Sequence, residues 1–172
     1  NFSCFASPAV WKDKIVIVNE YNSPTGFSLD SGATLTILSA TGSVLIEKSM
    51  PGGGNITDDA LLILNDRAYI KQTASDLKVI DLEKALSGND DFIAYDASRP
   101  ISSEMDRNSF TGNIIANSEC YYYADCVILY ARRIRDNALV WKTSILEGDD
   151  DKINPGLTLH NGKIILNNDN GM

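Results

Sequence analysis

Apolar and polar residues alternate along most of this chain in short runs, each closed by a turn rich in Asn, Asp or Gly. The stretch from Pro155 to Gly171 shows it best: Leu157, Leu159, Ile164 and Leu166 alternate with small or polar residues around Asn161-Gly162. A period of two places apolar side chains on one face of a strand, and Asn-Gly tolerates positive φ at both centres of a two-residue turn. The pattern predicts a β-hairpin.

The same outline occurs three more times upstream. Trp11-Lys12-Asp13-Lys14-Ile15 leads into Val16-Ile17-Val18, Leu64-Asn65-Asp66-Arg67-Ala68 into Tyr69-Ile70-Lys71, and Ala116-Asn117-Ser118-Glu119-Cys120 into Tyr121-Tyr122-Tyr123. His160-Asn161-Gly162-Lys163-Ile164 followed by Ile165-Leu166-Asn167 is the fourth copy. Each unit is an apolar approach, a polar turn and a β-rich run. Counting from Ile15 to Ala68, Cys120 and Ile164 gives separations of 53, 52 and 44 residues.

Further strands follow within the first three units. Thr34 to Leu38 alternates, Ala40-Thr41-Gly42 turns, and Val44-Leu45-Ile46 returns. Leu77 to Leu82 is the third strand of the second unit, Leu82 to Leu86 a helical turn, and Asp91 to Tyr95 the fourth strand. Val127 to Ala131, a turn at Asp136-Asn137 and Ala138 to Trp141 complete the third unit. A repeat of about 40–50 residues with several short strands is the pattern of a β-propeller blade. The expected fold is therefore all-β: about three four-stranded blades over 7–50, 60–95 and 112–146, plus the first hairpin of a fourth over 155–172, together part of a larger propeller.

Charge and composition narrow the functional classes. A net charge of −8 and a pI near 4.5 argue against nucleic acid, which needs clustered Lys and Arg. Arg132, Arg133 and Arg135 form the one basic cluster, read as a solvated strand face. No apolar run approaches the ~20 residues of a membrane helix, and no signal peptide opens the chain. The start at Asn1 rather than Met reads as a processed product or an excised piece. Gly52-Gly53-Gly54 lacks the following helix pattern of a phosphate-binding loop and reads as a connection between units.

The repeat resembles that of the pyrroloquinoline-quinone-like propellers, whose unit is a strand followed by Ala-x-Asp-x-x-Thr-Gly-x-x-x-Trp. Ala131 to Trp141 keeps the Ala and the Trp, with Asn137 as a turn residue in place of Gly. Thr41-Gly42 keeps the Thr-Gly, with Ile46 where Trp would stand, and Asp81 matches the Asp. The resemblance implies that Trp141 packs between neighbouring blades. It also implies that a catalytic member would carry an adjacent Cys-Cys pair, a calcium site and an Asp base. No Cys-Cys pair is present.

Other candidate chemistry is sparse. Cys120 and Cys126 are separated by YYYAD across an expected hairpin, which leaves a cross-strand disulfide and two reduced buried thiols as alternatives; Cys4 is expected to stay unpaired. His160 is the single histidine and lacks a nucleophile or a second metal ligand, so it reads as structural. The run Glu147-Gly148-Asp149-Asp150-Asp151 lacks the ligand spacing of a calcium loop and reads as solvated. Alternation puts Tyr122 opposite Tyr121 and Tyr123, which leaves blade packing and exposure for binding both open. Trp11 reads as core.

These features predict a noncatalytic scaffold that binds a protein partner or ligand through the loops Asn19–Gly32 and Asp96–Phe110, with no cofactor or metal site. The competing class is a piece of a quinoprotein-type oxidoreductase, or of another propeller enzyme, whose active residues lie elsewhere. Open blade edges predict association with remaining blades or with itself. The family resemblance and the sequons at Asn1 and Asn55 point to an extracytoplasmic location.

Overall fold

A computed structural model describes residues 2–3, 6–21, 32–50, 56–72, 77–96, 113–125, 128–145 and 156–167. The architecture is all-β: four antiparallel sheets follow one another in chain order, with one short helix. The first contains β1 (Phe2–Ser3), β2 (Ala9–Trp11), β3 (Lys14–Tyr21), β4 (Gly32–Ser39) and β5 (Val44–Met50). Here β1 and β2 both pair with β3, and β4 and β5 follow as a meander.

The second sheet is β6 (Ile56–Leu64), β7 (Arg67–Gln72), β8 (Leu77–Asp81) and β9 (Ile93–Asp96), with α1 (Leu82–Leu86) between its last two strands. The third is β10 (Ile115–Ala116), β11 (Cys120–Asp125), β12 (Ile128–Arg133) and β13 (Leu139–Ser144). The fourth is the single hairpin β14 (Gly156–His160) and β15 (Lys163–Asn167). The expected units thus appear as four sheets, and the first begins earlier than expected because Phe2-Ser3 pairs with Glu20 and Tyr21.

Local chemistry explains the turns. Asn161 and Gly162 both take positive φ, 49° and 73°, as the Asn-Gly dipeptide predicts. Asn65 and Asp66 do the same at 46° and 61°. Asp81 caps α1, its carboxylate accepting from the Lys84 amide at 3.0 Å. The Asp of the repeat pattern therefore serves a helix cap here.

One register feature recurs in all three complete sheets. Ile37 faces Ile46 and the next pair is Leu38 with Val44; Val79 faces Tyr95 and the next pair is Ile80 with Ile93; Ala131 faces Trp141 and the next pair is Arg132 with Leu139. Each fourth strand thus carries an extra residue at the same point, a β-bulge that bends the strand and increases its twist. Gly42, with φ 86°, and Asn137, with φ 58°, occupy the following turn in the first and third sheets. Asn137 stands in for Gly because Asn enters the left-handed region at low cost.

This register corrects one alignment. Ile15 faces Leu38, Ala68 faces Ile80, and Tyr121, not Cys120, faces Arg132. The turn before β11 is a residue longer because the Asn117 side chain accepts from the amides of Glu119 and Cys120 at 2.8 and 2.7 Å. The first two intervals of the repeat are then both 53 residues.

The sheets pack through alternating faces. Val16, Val18, Leu35 and Ile37 of the first sheet meet Ala68, Ile70 and Ile80 of the second, with Trp11, Leu82 and Phe92 in the same core. The opposite face of the second sheet, through Tyr69, Leu77 and Val79, meets Ile114, Tyr121 and Tyr123 of the third. Trp11 is buried as expected, and its indole Nε1 donates to Asp66 Oδ1 at 2.8 Å. The fourth sheet is tied to the third by Asn113. Its Nδ2 donates to the Leu157 carbonyl at 2.9 Å, and its Oδ1 accepts from the Leu157 amide at 2.7 Å.

Candidate interaction surface

The interface between the second and third sheets is a cluster of phenols with one guanidinium. Strand alternation sends Tyr121 and Tyr123 toward Tyr69, whose ring centroid lies 4.6 Å from that of Tyr121. Tyr130 stacks on Tyr123 at 5.1 Å. Arg132 lies over the Tyr95 ring at 5.3 Å and donates from Nε to the Tyr123 hydroxyl at 3.1 Å and from Nη1 to the Asn137 carbonyl at 2.9 Å. Burial pushes the phenols of Tyr69, Tyr121 and Tyr123 above their ordinary range.

Several expectations change on this geometry. Tyr121, Tyr122 and Tyr123 are all buried, so none is an exposed binding residue. Of the basic cluster, Arg132 is drawn into a sheet interface while Arg133 pairs with Asp136 at 3.0 Å; only Arg135 is largely solvated. The hairpin expected between the cysteines is absent, because Cys120 through Asp125 is one strand. Cys120 is a free thiol; Cys126 and Cys4 lie outside the described residues. Also outside them are the acidic run 147–151, the glycine run 52–54 and most of the loops Asn19–Gly32 and Asp96–Phe110.

His160 is exposed, and its Nε2 lies 3.1 Å from Asn161 Nδ2, a contact within the turn. Among the described residues no group of three or more His, Cys, Asp or Glu side chains is placed to hold a metal ion. No described helix is long and apolar enough to cross a membrane.

What the chain does present is an uncovered apolar surface at the end of the sheet series. Every residue of β13 is exposed, including Leu139, Val140 and Trp141, the last 39% exposed. Trp141 leans on Tyr122 with ring centroids 6.0 Å apart, and so lies on the side of the third sheet opposite the phenol cluster. Ile165 and Leu166 of β15 are also exposed, at 46% and 40%. Among the described residues no second sheet covers Trp141, so the packing that the resemblance implies for it is not seen there. The fourth sheet has two strands among the described residues, and these do not cover the outer strand of the third.

No family model matches the chain, and no curated protein matches it. Among solved structures it is similar to the computationally designed Ika8 protein, with a TM-score of 0.63 and 12% identity over 98% of this chain and 44% of that one. It is also similar to the computationally designed Ika4 protein, with a TM-score of 0.61 and 12% identity over 99% of this chain and 88% of that one. At this identity the likeness is one of fold. The chain spans less than half the length of Ika8 and most of that of Ika4.

Proposed function

We propose that the chain is a noncatalytic β-propeller scaffold of the pyrroloquinoline-quinone-like repeat type, in which each sheet is a blade and the exposed end of the series binds protein. The observation that carries the reading is the recurrence of one register. Ile46, Tyr95 and Trp141 follow the same bulge in three consecutive sheets, and the first two sit under the next sheet. Repetition of this kind gives each unit two apolar faces that only neighbouring units can bury. The described polar groups serve packing: Asp66 receives Trp11, Asp81 caps α1, and Arg132 spans two sheets.

The test is titration with pyrroloquinoline quinone and Ca²⁺, followed by cofactor absorbance and thermal melting. A scaffold gives neither a spectral change nor a shift in Tm. A saturable response in both would replace this reading with that of a quinoprotein-type oxidoreductase.

A further inference from the structure

We infer that Asn161-Gly162 is a site of self-modification, where Asn161 converts to aspartate and isoaspartate while His160 delivers a proton to the departing nitrogen. The inference is independent of the scaffold reading and uses only the tip of the β14–β15 hairpin. Asn161 and Gly162 are the centre of that tip, with φ 49° and 73°, and both are exposed. The ladder ends at the pair of His160 with Lys163, so the Gly162 amide lies beyond it. A side chain added at Gly162 would meet nothing within 4 Å. The Gly162 nitrogen therefore has no ladder bond to give up and no crowding neighbour among the described residues. Ring closure needs the tip to open locally, which loop tips do most readily.

The chemistry is complete with water alone. Gly162 N attacks Asn161 Cγ and loses its proton to water. The Cγ–Nδ2 bond breaks, and Nδ2 leaves as ammonia. Water then opens the resulting succinimide at either carbonyl, giving aspartate or isoaspartate. His160 is placed for the departure: its Nε2 lies 3.1 Å from Asn161 Nδ2, within reach for proton transfer. As an amide, Nδ2 donates along that line. In the tetrahedral intermediate it is an amine with a lone pair, so the direction reverses and the protonated ring supplies the proton that ammonia carries away. The exposed ring recovers a proton from water.

Other asparagines are held differently. Asn113 is bonded at both ends of its amide to Leu157. Asn117 accepts from two backbone amides and donates to the Tyr122 hydroxyl at 2.9 Å. Asn137 is buried and accepts from Tyr121. None of the three precedes a glycine.

The experiment incubates the whole chain at neutral pH and follows its tryptic peptide 153–163 by mass spectrometry. Cleavage after Lys163 separates Asn161 from the Asn170-Gly171 pair, and Asn154 precedes Pro155, which has no N–H to lose. The expected result is a steady mass gain equal to exchange of NH2 for OH, with isoaspartate confirmed by enzymatic methylation. His160→Ala slows the gain several-fold. Added imidazole raises the rate of that variant more steeply than the rate of the parent. Should the substitution also loosen the tip and hasten ring closure, the imidazole response still reads proton delivery. An unmodified site in the folded chain, after a time that fully converts the free 153–163 peptide, overturns the inference. So do equal rates with and without His160 when imidazole has no effect on the variant, since the dipeptide alone would then suffice. Neither result bears on quinone binding, so the scaffold reading stands or falls separately.

Discussion

Tyr95 and Trp141 occupy the same register position one sheet apart, and only Tyr95 is covered. Each faces the residue before a bulge, Val79 in one sheet and Ala131 in the next. Arg132 lies over the Tyr95 ring, whereas Trp141 is 39% exposed. Equivalent residues should therefore have unequal effects on folding. Tyr95→Ala is expected to cost about 2 kcal/mol, through lost apolar burial and the lost cation contact. Trp141→Ala should cost less, since 39% of its surface stays open to water in the chain itself. Urea denaturation of both variants checks this, and equal losses would mean that Trp141 is packed.

The bond from Trp11 Nε1 to Asp66 Oδ1 joins the first sheet to the second and makes stability depend on acid. The Asp66 carboxyl is held below its ordinary value of 3.8, first by the Trp11 hydrogen bond and then by Lys12. The unfolded chain therefore takes up this proton more readily than the folded one. The contribution is complete above the ordinary value and fades as pH falls through it toward the lower folded value. Trp11→Phe should lower stability at neutral pH by about 1–2 kcal/mol, from the lost bond and volume. The difference between variant and parent should shrink as pH falls below about 4. A constant difference would assign the loss to volume alone.

Asn113 holds the terminal hairpin by a pair of bonds to one backbone residue, Leu157. Asn113→Ala leaves the Leu157 amide without its partner, and Leu157 is buried. Hydrogen exchange at Leu157 should quicken about tenfold or more, the effect of losing roughly 1.5 kcal/mol of local protection. Amides of β7 and β8 should not change. Uniform acceleration across the chain would show that the hairpin folds as one unit with the other sheets.

The sequence reveals the hairpins and the repeat because both depend on nearest neighbours. Period-two alternation marks Leu77–Asp81 and the Asn161-Gly162 turn directly, and the order of sheets follows chain order. Two kinds of feature escape it. The first is turn length set by a side chain: Asn117 lengthens its turn and shifts the third unit by one residue, so that Tyr121 rather than Cys120 matches Ala68. The second is anything decided between sheets. Arg132 looks like one of three solvated arginines until the second sheet brings Tyr95 beneath it. Trp141 looks like core until the fourth sheet is seen to stop at two strands among the described residues.

Among the described residues the buried Tyr69 hydroxyl makes no hydrogen bond of good geometry; it lies beside the Arg67 side chain, whose guanidinium also donates to the Ile134 carbonyl at 3.3 Å. A buried hydroxyl in this position opposes folding through its lost hydration. Tyr69→Phe should accordingly be neutral or stabilising by up to about 1 kcal/mol. Tyr121→Phe should do the reverse, since the Tyr121 hydroxyl donates to Asn137 Oδ1 at 3.3 Å within the core. Its loss should cost about 1 kcal/mol. Thermal melts of the two conservative variants read the contrast, and similar losses would show that the Tyr69 hydroxyl has a partner in solution.

The same phenols set the alkaline limit of the fold. Burial raises Tyr69, Tyr121 and Tyr123 above the ordinary phenol value of 10.0. For each, the folded chain keeps its proton at a pH where the unfolded chain has lost it. The unfolded state then binds fewer protons, and stability falls as pH rises. The loss begins near the ordinary value and continues until the raised folded value is reached. Each phenol contributes a slope of about 1.4 kcal/mol per pH unit within that window. Together with Tyr122, which burial also raises, they couple unfolding to ionisation, so phenolate absorbance from these residues should rise in step with the loss of circular dichroism. With Tyr122 also raised by burial, Tyr123→Phe should remove about a quarter of the phenol slope above pH 10. Phenolate signal from all seven tyrosines well before unfolding would mean that the cluster is open to hydroxide, and that the second and third sheets do not pack as a closed interface.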